Sequence, residues 1–141
     1  MTIAIIPFDM DSYDAVIALW KQCEGVHVSD ADSRENMQAY LARNPGMSFV
    51  ATDNGEVVGA IQAGHDGRRG YIYHLAVHPS CRRRGIARRL VEGAVAGLRD
   101  AGIQRACMFI FDSNSGGAEF WTSMGWTAPT DFGMMWKNLE P

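Results

Sequence analysis

The sequence predicts a fold of the α/β class. Its sheet is expected to be mixed, of the α+β type, with helices on both faces. Two apolar runs over 48–52 and 57–63 flank the turn Asp53-Asn54-Gly55-Glu56, which is typical of a β-hairpin. A third apolar run over 71–77 stops shortly before a proline, and an apolar stripe at helical spacing follows from Leu90 to Leu98. Because strand and helix patterns alternate after the hairpin, we expect layers of helix packed on one sheet.

The other elements are predicted by short stretches of alternating or helical periodicity. In order, the predicted elements are a strand over 2–7, a helix from Asp11 or Ser12 to about Cys23, a helix from Ser33 to about Arg43, the two hairpin strands, the strand over 71–77, a helix to about Ala101 that Gly102 ends, a strand over 105–111, a helix over 115–124 and a final strand over 132–139.

Length and composition predict one domain over residues 1–141, since 141 residues with 47% hydrophobic side chains can enclose one core. No apolar stretch approaches the ~20 residues of a membrane span, and the opening run has no basic leader. Cys23, Cys81 and Cys107 lack metal-ligand spacing, so we expect free thiols and no metal. The sequence therefore predicts a cytoplasmic protein without a membrane partner.

Charge is divided unevenly along the chain. Residues 1–60 carry nine acidic and three basic side chains, whereas residues 61–141 carry seven acidic and ten basic ones. This division suits a polyanionic cofactor on one side and a cationic acceptor on the other, but the acids are equally explained as solvated helix faces. Because the formal net charge is −3 and no basic stripe extends beyond one turn, nucleic acid is not an expected partner.

That turn lies between the strand over 71–77 and the following helix, and holds five arginines within eight residues. The first amides of a helix lack intrahelical partners, and the helix dipole places partial positive charge there. Gly85 and Ala87 are small enough for backbone to approach an anion closely. The sequence therefore predicts a phosphate or pyrophosphate site, and its candidate residues are Arg82, Arg83, Arg84, Gly85, Ala87 and Arg88.

Two segments carry a resemblance to a known family. Arg82-x-x-Gly85-x-Ala87 is similar to the Arg/Gln-x-x-Gly-x-Gly/Ala signature of the GNAT superfamily of N-acetyltransferases, and it follows a strand that ends in Val-x-Pro as in the family. The segment from Asn114 to Trp126 resembles the family's downstream Asn-x-x-(small)-x-x-Phe-Tyr-x-x-x-Gly-Phe segment. The resemblance extends over about residues 48–139, and it is to small single-domain bacterial members similar to ribosomal-protein N-terminal acetyltransferases.

The resemblance implies the GNAT fold, with a mixed and mostly antiparallel sheet. It implies acetyl-CoA as cosubstrate, and acetyl transfer to a primary amine by direct attack in a ternary complex. The pantetheine arm would bond to the backbone of Leu75 and Val77, with the Leu75 amide as oxyanion donor. Asn114 would touch the same arm, although a helix cap explains it too.

Some positions depart from the family pattern. Trp121 stands where many members have a tyrosine that protonates the leaving thiolate. An indole cannot pass a proton, so we expect Trp121 to be a wall of the thioester pocket. The positions of the family's catalytic glutamates align with Tyr71 and Phe109, so no carboxylate is present there.

Tyr73 is the best candidate to contact the acceptor or relay a proton, with a core aromatic as the alternative. A regular strand places Tyr71, Tyr73, Leu75 and Val77 on one face, and His74 on the other face unless a bulge turns the strand. Asp112 is a lesser candidate for the base.

Three questions stay open. The chain is either an active N-acetyltransferase or a catalytically degenerate GNAT domain that binds acyl-CoA as a sensor or partner module. The acceptor is a small molecule or a protein amine, and its specificity is expected to depend on residues 25–45 and the last hairpin. Monomer and homodimer are both compatible with the sequence.

Overall fold

The computed structural model describes residues 2–110 and 114–139. They form two compact units, Met1–Phe109 and Ile110–Pro141, and each is described here by itself. That residues 1–141 form one domain stays a prediction.

The first unit is built on a five-stranded sheet in the order β1-β2-β3-β4-β5. The strands are β1 Ile3–Pro7, β2 Phe49–Asp53, β3 Glu56–His65, β4 Gly70–Val77 and β5 Ala106–Met108. The first three pairings are antiparallel and the last is parallel. The predicted mixed, mostly antiparallel sheet is thus confirmed.

Three helices belong to this unit and one to the second. They are α1 Tyr13–Gln22, α2 Arg34–Arg43, α3 Ile86–Asp100 and, in the second unit, α4 Ser115–Ser123. Short 3-10 turns occupy Met10–Ser12, Asp30–Asp32 and Pro79–Cys81. Ser33 begins α2 as predicted, since its side chain accepts a hydrogen bond from the Asn36 amide.

The predicted hairpin between β2 and β3 is confirmed. Asn54 and Gly55 at its tip have φ values of 50° and 87°, and positive values at both central residues are the mark of a type I′ turn. This turn matches the twist of the strands, which explains why Asn-Gly is a dependable hairpin signal.

The α3 helix packs on one face of the sheet through close backbone approaches. A Cβ built on Gly59 of β3 would lie 3.1 Å from Leu90 and 3.3 Å from Ile86. At the other end of the helix, a Cβ on Gly70 of β4 would lie 2.8 Å from Leu98. A larger residue at either glycine would therefore push the helix from the strands.

The opposite face of the sheet packs against α1 and α2. Its buried core combines side chains of both helices with small residues of the strands. The helical members include Val16, Leu19, Trp20 and Met37, and the strand members are Val50, Ala60 and Ala76. The predicted placement of helices on both faces is therefore confirmed.

Two predicted strands differ from the structure. The strand expected over 105–111 is shorter, Ala106–Met108, and residue 111 lies outside the described residues. The final strand expected over 132–139 is wrong, because this segment has no regular structure and leaves Phe132 and Trp136 74% and 79% exposed. Apolar alternation predicts a strand only where a partner pairs with its backbone, and the described residues supply none here.

Candidate functional site

The free edge of β4 is the central feature of the first unit. The strand β5 pairs with β4 only from Gly70 to Ile72, so the segment 73–77 has no strand on that side among the described residues. On the other side, the His78 amide donates to the Val58 carbonyl at 2.7 Å. Since hydrogen-bonded pairs alternate along an antiparallel ladder, the N–H and C=O groups of Leu75 and Val77 point to the free edge.

The Val77 carbonyl is already engaged within the protein. It accepts from Arg82 Nε at 3.3 Å and from Cys23 Sγ at 3.7 Å, so one of the candidate arginines ties the basic turn to the end of β4. Burial raises the pKa of the Cys23 thiol, and the Arg82 charge opposes that shift. The Val77 amide and both backbone groups of Leu75 are the polar groups that this edge presents.

A β-bulge lies in the middle of β4. Gln62 pairs with His74 and Ala63 pairs with Ile72, which leaves Tyr73 as the extra residue. The Tyr73 ring packs against Tyr40 of α2 at 6.0 Å, whereas the His74 ring packs against α1. Both side chains therefore face the α1–α2 side.

This bulge corrects the face assignment made for a regular strand. Leu75 pairs with Ile61, two residues along β3 from Gly59, which faces α3. Leu75 and Val77 thus lie on the α3 face, and Tyr71 and Tyr73 do not share it with them. A bulge re-aims every later side chain by one position, and nothing in the sequence marks it.

The basic turn has backbone geometry suited to an anion. Arg83 and Gly85 have φ values of 64° and 76°, and alternation of left-handed residues gathers successive N–H groups into a concave nest. Gly85 is the N-cap of α3 and provides no side-chain cap, while its carbonyl accepts the first helical bond from Arg89. The amides from Gly85 to Arg88 are therefore the unbonded first donors of a 15-residue helix.

The side chains of this turn point mainly to solvent. Arg82, Arg83, Arg84, Gly85 and Arg88 are exposed, whereas Ala87 is half-buried. A Cβ built on Gly85 would meet no atom within 4 Å, so the space over the turn is open to a ligand.

A row of aromatic rings crosses the α2 side of β4. Tyr71 stacks on Tyr73 at 6.2 Å and on Phe109 at 6.4 Å, and Tyr73 meets Tyr40 edge-on. Tyr73 and Phe109 are 48% and 56% exposed, so this is a partly solvent-facing surface and not a closed core. Burial, and after it the neighbouring Tyr71 and Asp66, raise the pKa of Tyr73. Its phenol is thus protonated at neutral pH, suited to donate a hydrogen bond and unsuited to act as a base.

Asp32 is a candidate site residue that was not predicted from the sequence. Seven acidic residues precede Asn36, and all of them except Asp32 are exposed, as expected for solvated faces. Asp32 is only 3% exposed, and both of its carboxylate oxygens lie within 3.1 Å of His74 Nε2. The one available signal was the pattern Ser29-x-x-Asp32, which forms a capping box and marks Asp32 as an ordered residue.

In the second unit, Asn114 caps α4, because its Oδ1 accepts from the Gly117 amide at 2.9 Å. The cap hypothesis for Asn114 is confirmed, while its contact with a cofactor stays a prediction. Trp121 is 9% exposed and packs against Phe120 at 5.2 Å and Trp126 at 4.8 Å. Asp112 lies outside the described residues.

Two features are absent from residues 2–110 and 114–139. In these residues no group of three or more potential ligands among His, Cys, Asp and Glu could hold a metal ion. No helix in them is long and apolar enough to cross a membrane.

A mixed sheet with a strand edge opened and an uncapped helix N-terminus after it presents backbone groups that can bond an extended chain and an anion. Residues 13–126 match the family model described as Acetyltransferase (GNAT) family, and the chain belongs to that family. An acetyltransferase of Pectobacterium atrosepticum is 35% identical over 107 residues, which cover 76% of this chain and 75% of the relative. The protein is thus an acetyltransferase of the GNAT family.

Solved structures confirm the fold. The PaiA N-acetyltransferase of Thermoplasma acidophilum, in complex with coenzyme A, aligns with a TM-score of 0.80 over 93% of this chain and 94% of its own, at 17% identity. The aminoglycoside acetyltransferase AAC(6′)-Iy, bound to a bisubstrate analogue, aligns with a TM-score of 0.78 over 98% and 99%, at 18% identity. At such identities the likeness is one of fold.

Proposed function

We propose that this protein transfers the acetyl group of acetyl-CoA to a primary amine, by direct attack in a ternary complex. The observation that carries the proposal is the free edge of β4, where the backbone groups of Leu75 and the Val77 amide point outward. An extended pantetheine arm can add to such an edge as a strand does. The uncapped start of α3 follows directly along the chain and supplies donors for the pyrophosphate.

Different groups of the chain would bind different parts of acetyl-CoA. The pyrophosphate would lie on the amides from Arg83 to Arg88, with the arginine side chains adding charge. The pantetheine amides would pair with Leu75 and Val77. By resemblance to the family, Asn114 would touch this arm and Trp121 would line the thioester pocket.

The chemical step needs few further groups from the protein. The Leu75 N–H would donate to the thioester oxygen as negative charge develops on it, and one such donor contributes roughly 10²–10³ in rate. The amine, once deprotonated, forms a bond from its nitrogen to the carbonyl carbon, the C–S bond then breaks, and the acylated nitrogen loses its remaining extra proton to water. A thiol has a pKa near ~8.5, so its thiolate leaves without a strong acid and takes a proton from water.

The aromatic row favours an acceptor that arrives as a cation. Ring faces attract ammonium groups within about 6 Å, by roughly 0.5–1 kcal/mol at exposed sites. Tyr73 is half exposed in this row and lies two residues before Leu75, which places it near the reaction. We expect Tyr73 to contact the acceptor and to orient a water that carries its proton.

The test is acetyl-CoA turnover across an amine panel, followed by thiol release. The panel contains small mono- and polyamines, lysine peptides with blocked N-termini and peptides with free N-termini. Cationic amines should turn over, with an apparent KM that rises with salt because screening acts over ~8–10 Å. Tyr73→Phe should lower kcat, and turnover should climb between about pH 7 and 9. Neutral or acidic acceptors that outperform cationic ones, without a salt effect, would overturn the acceptor assignment.

The alternative function is a degenerate domain that binds acyl-CoA without turnover. Its motivation is the missing tyrosine at Trp121 and the missing glutamates at Tyr71 and Phe109. Calorimetric binding of acetyl-CoA with no thiol release for any amine, at any pH of the profile, would favour this sensor over the enzyme.

A further inference from the structure

A close, largely buried polar contact beside β4 joins His74 to Asp32. His74 Nε2 lies 3.1 Å from Oδ1 and 3.0 Å from Oδ2 of the carboxylate. The two side chains are 16% and 4% exposed. Asp32 Oδ2 also accepts the Ser29 amide at 3.0 Å, so the carboxylate is held from two directions.

This contact selects one form of the imidazole. A carboxylate accepts hydrogen bonds, so Nε2 must carry a proton and donate it. In the neutral ring, Nδ1 is then left with the lone pair. Nδ1 has no hydrogen-bond partner among residues 2–110 and 114–139. The pair therefore has the arrangement in which a carboxylate fixes a histidine as a proton acceptor.

The strand places His74 next to Leu75, the proposed oxyanion donor. His74 immediately precedes Leu75, and consecutive Cα atoms lie ~3.8 Å apart. The bulge at Tyr73 turns Tyr73 and His74 to the same side, so the imidazole and the exposed phenol lie on the same face of the sheet. The proposed acceptor region at Tyr73 and the proposed oxyanion donor at Leu75 thus flank His74 along the chain.

Few other charged groups surround the ring. From α1 it meets Trp20, at 4.7 Å between ring centroids, and β3 presents the neutral Gln62 as its strand partner. From α2, Met37 contacts Gln62, and Tyr40 reaches Tyr73 instead. The Tyr13 hydroxyl donates to the Asp32 backbone carbonyl at 2.5 Å. Among the described contacts, the Asp32 carboxylate is the charge that acts directly on this imidazole.

We propose that His74, oriented by Asp32, is the base that takes the proton from the acceptor ammonium. This assignment rests on the proposed amine acetylation. One N–H bond of the ammonium breaks and its proton passes to Nδ1, directly or through one water. The freed lone pair then forms the bond to the thioester carbon. The thiolate leaves with the C–S electrons, and the acylated nitrogen loses its second proton to solvent water, from which the thiolate is protonated. His74 returns the first proton to solvent. Asp32 is a positioning residue.

The experiment follows thiol release over pH with three cationic acceptors whose ammonium pKa values differ by about two units in all. In the wild-type enzyme the rising limb of kcat should stay in place when the acceptor changes, because the group that takes the proton belongs to the enzyme and not to the acceptor. In His74→Gln, kcat should fall by roughly 10²–10⁴. The rising limb that remains in the pH profile of this variant should then move with the ammonium pKa of each acceptor. His65→Gln is the matched control, because His65 bonds a loop amide at the far end of β3.

Two further measurements separate the base from a structural histidine. Added imidazole should restore part of the activity of His74→Ala, whereas a packing role offers nothing for a small base to rescue. Nitrogen NMR of neutral His74 should show Nε2 protonated and Nδ1 bare. Asp32→Asn should disturb this tautomer and lower kcat with little change in the KM for acetyl-CoA.

The outcomes are distinct. The assignment is overturned if the rising limb of the wild-type pH profile moves with the pKa of the acceptor. It is also overturned if His74→Gln lowers the melting temperature but leaves the rising limb where it is in the wild type. Either result leaves the acetyltransferase activity itself intact. If the wild-type enzyme releases no thiol with any amine, the proposed function fails first. In that case, a bare Nε2 in the NMR spectrum would refute the orientation by Asp32 independently of activity.

Discussion

A charge placed at Gly85 should abolish the binding of acetyl-CoA while the fold persists. Gly85 has φ 76° and a Cβ built on it meets no atom within 4 Å. The structure therefore has room for a side chain, and the cost to the fold is mainly the left-handed backbone, about 1–2 kcal/mol for a non-glycine residue. For a chain of this size, the melting temperature should fall by roughly 2–8 °C.

The effect on binding should be larger than this. A carboxylate about 6 Å from the pyrophosphate repels each negative charge by roughly 0.7–2.8 kcal/mol, at effective dielectric constants of 80 and 20. With two charges on the pyrophosphate, the total of about 1.4–5.5 kcal/mol weakens Kd by roughly 10- to 10⁴-fold. The Gly85→Glu variant should therefore lose most of its affinity for acetyl-CoA in calorimetry.

Matched variants isolate the two contributions. Gly85→Gln has the same bulk and the same backbone strain without the charge, so the difference between the two variants measures repulsion and should shrink as salt rises. Gly67→Glu carries the same change to a loop glycine with φ 91° and open surroundings, at the opposite end of β4. It should lose stability but not affinity. Unchanged affinity in Gly85→Glu would place the pyrophosphate elsewhere and refute the argument from the helix N-terminus.

Three other changes test separate parts of the molecule. Trp121→Phe keeps an aromatic ring and removes the indole N–H, so kcat in the thiol-release assay should change less than tenfold; a loss of several orders of magnitude would make that N–H central to catalysis. Gly97→Ala brings a Cβ into the Gly46 carbonyl, and calorimetric unfolding should show a loss of about 1–3 kcal/mol, whereas Gly116→Ala has open space and should lose none. Burial raises the pKa of Tyr40, so the folded state holds this proton more tightly than the unfolded chain, and the stability it contributes is lost as pH rises above ~10. The melting temperature of Tyr40→Phe should therefore fall less steeply above that pH, and equal slopes would contradict the burial argument.

The elements that the sequence predicted correctly have local causes. Asn54 and Gly55 determine the hairpin by their own backbone preferences, and Gly102 ends α3 with φ 83°. The basic turn was found because helix start, glycine and arginines are contiguous. In each case the information lies within a few residues, which is the range over which a single sequence can be interpreted.

The features that were missed depend on residues far apart in the chain. The bulge at Tyr73 arises from the register between β3 and β4, and it reverses the face assigned to Leu75. Asp32 and His74 are separated by 42 positions, and the local capping-box pattern that includes Asp32 does not indicate that this acid is buried against His74. The final strand was wrong for the same reason, because alternation over 132–139 describes a segment and not its partner.

The site proposed here has a base and lacks an acid, and the two proton transfers differ in how much they need help. At neutral pH an ammonium with a pKa near ~9 is reactive in only about one molecule in a hundred, which corresponds to roughly 2.7 kcal/mol. A thiolate leaving group has a pKa near ~8.5 and imposes a smaller penalty, so removing a proton from the amine helps more than giving one to the sulfur. Trp121 cannot supply a proton, and the raised pKa of Tyr73 prevents it from accepting one. The Asp32–His74 pair, as the proposed base, is the arrangement in the described residues that suits the more demanding transfer.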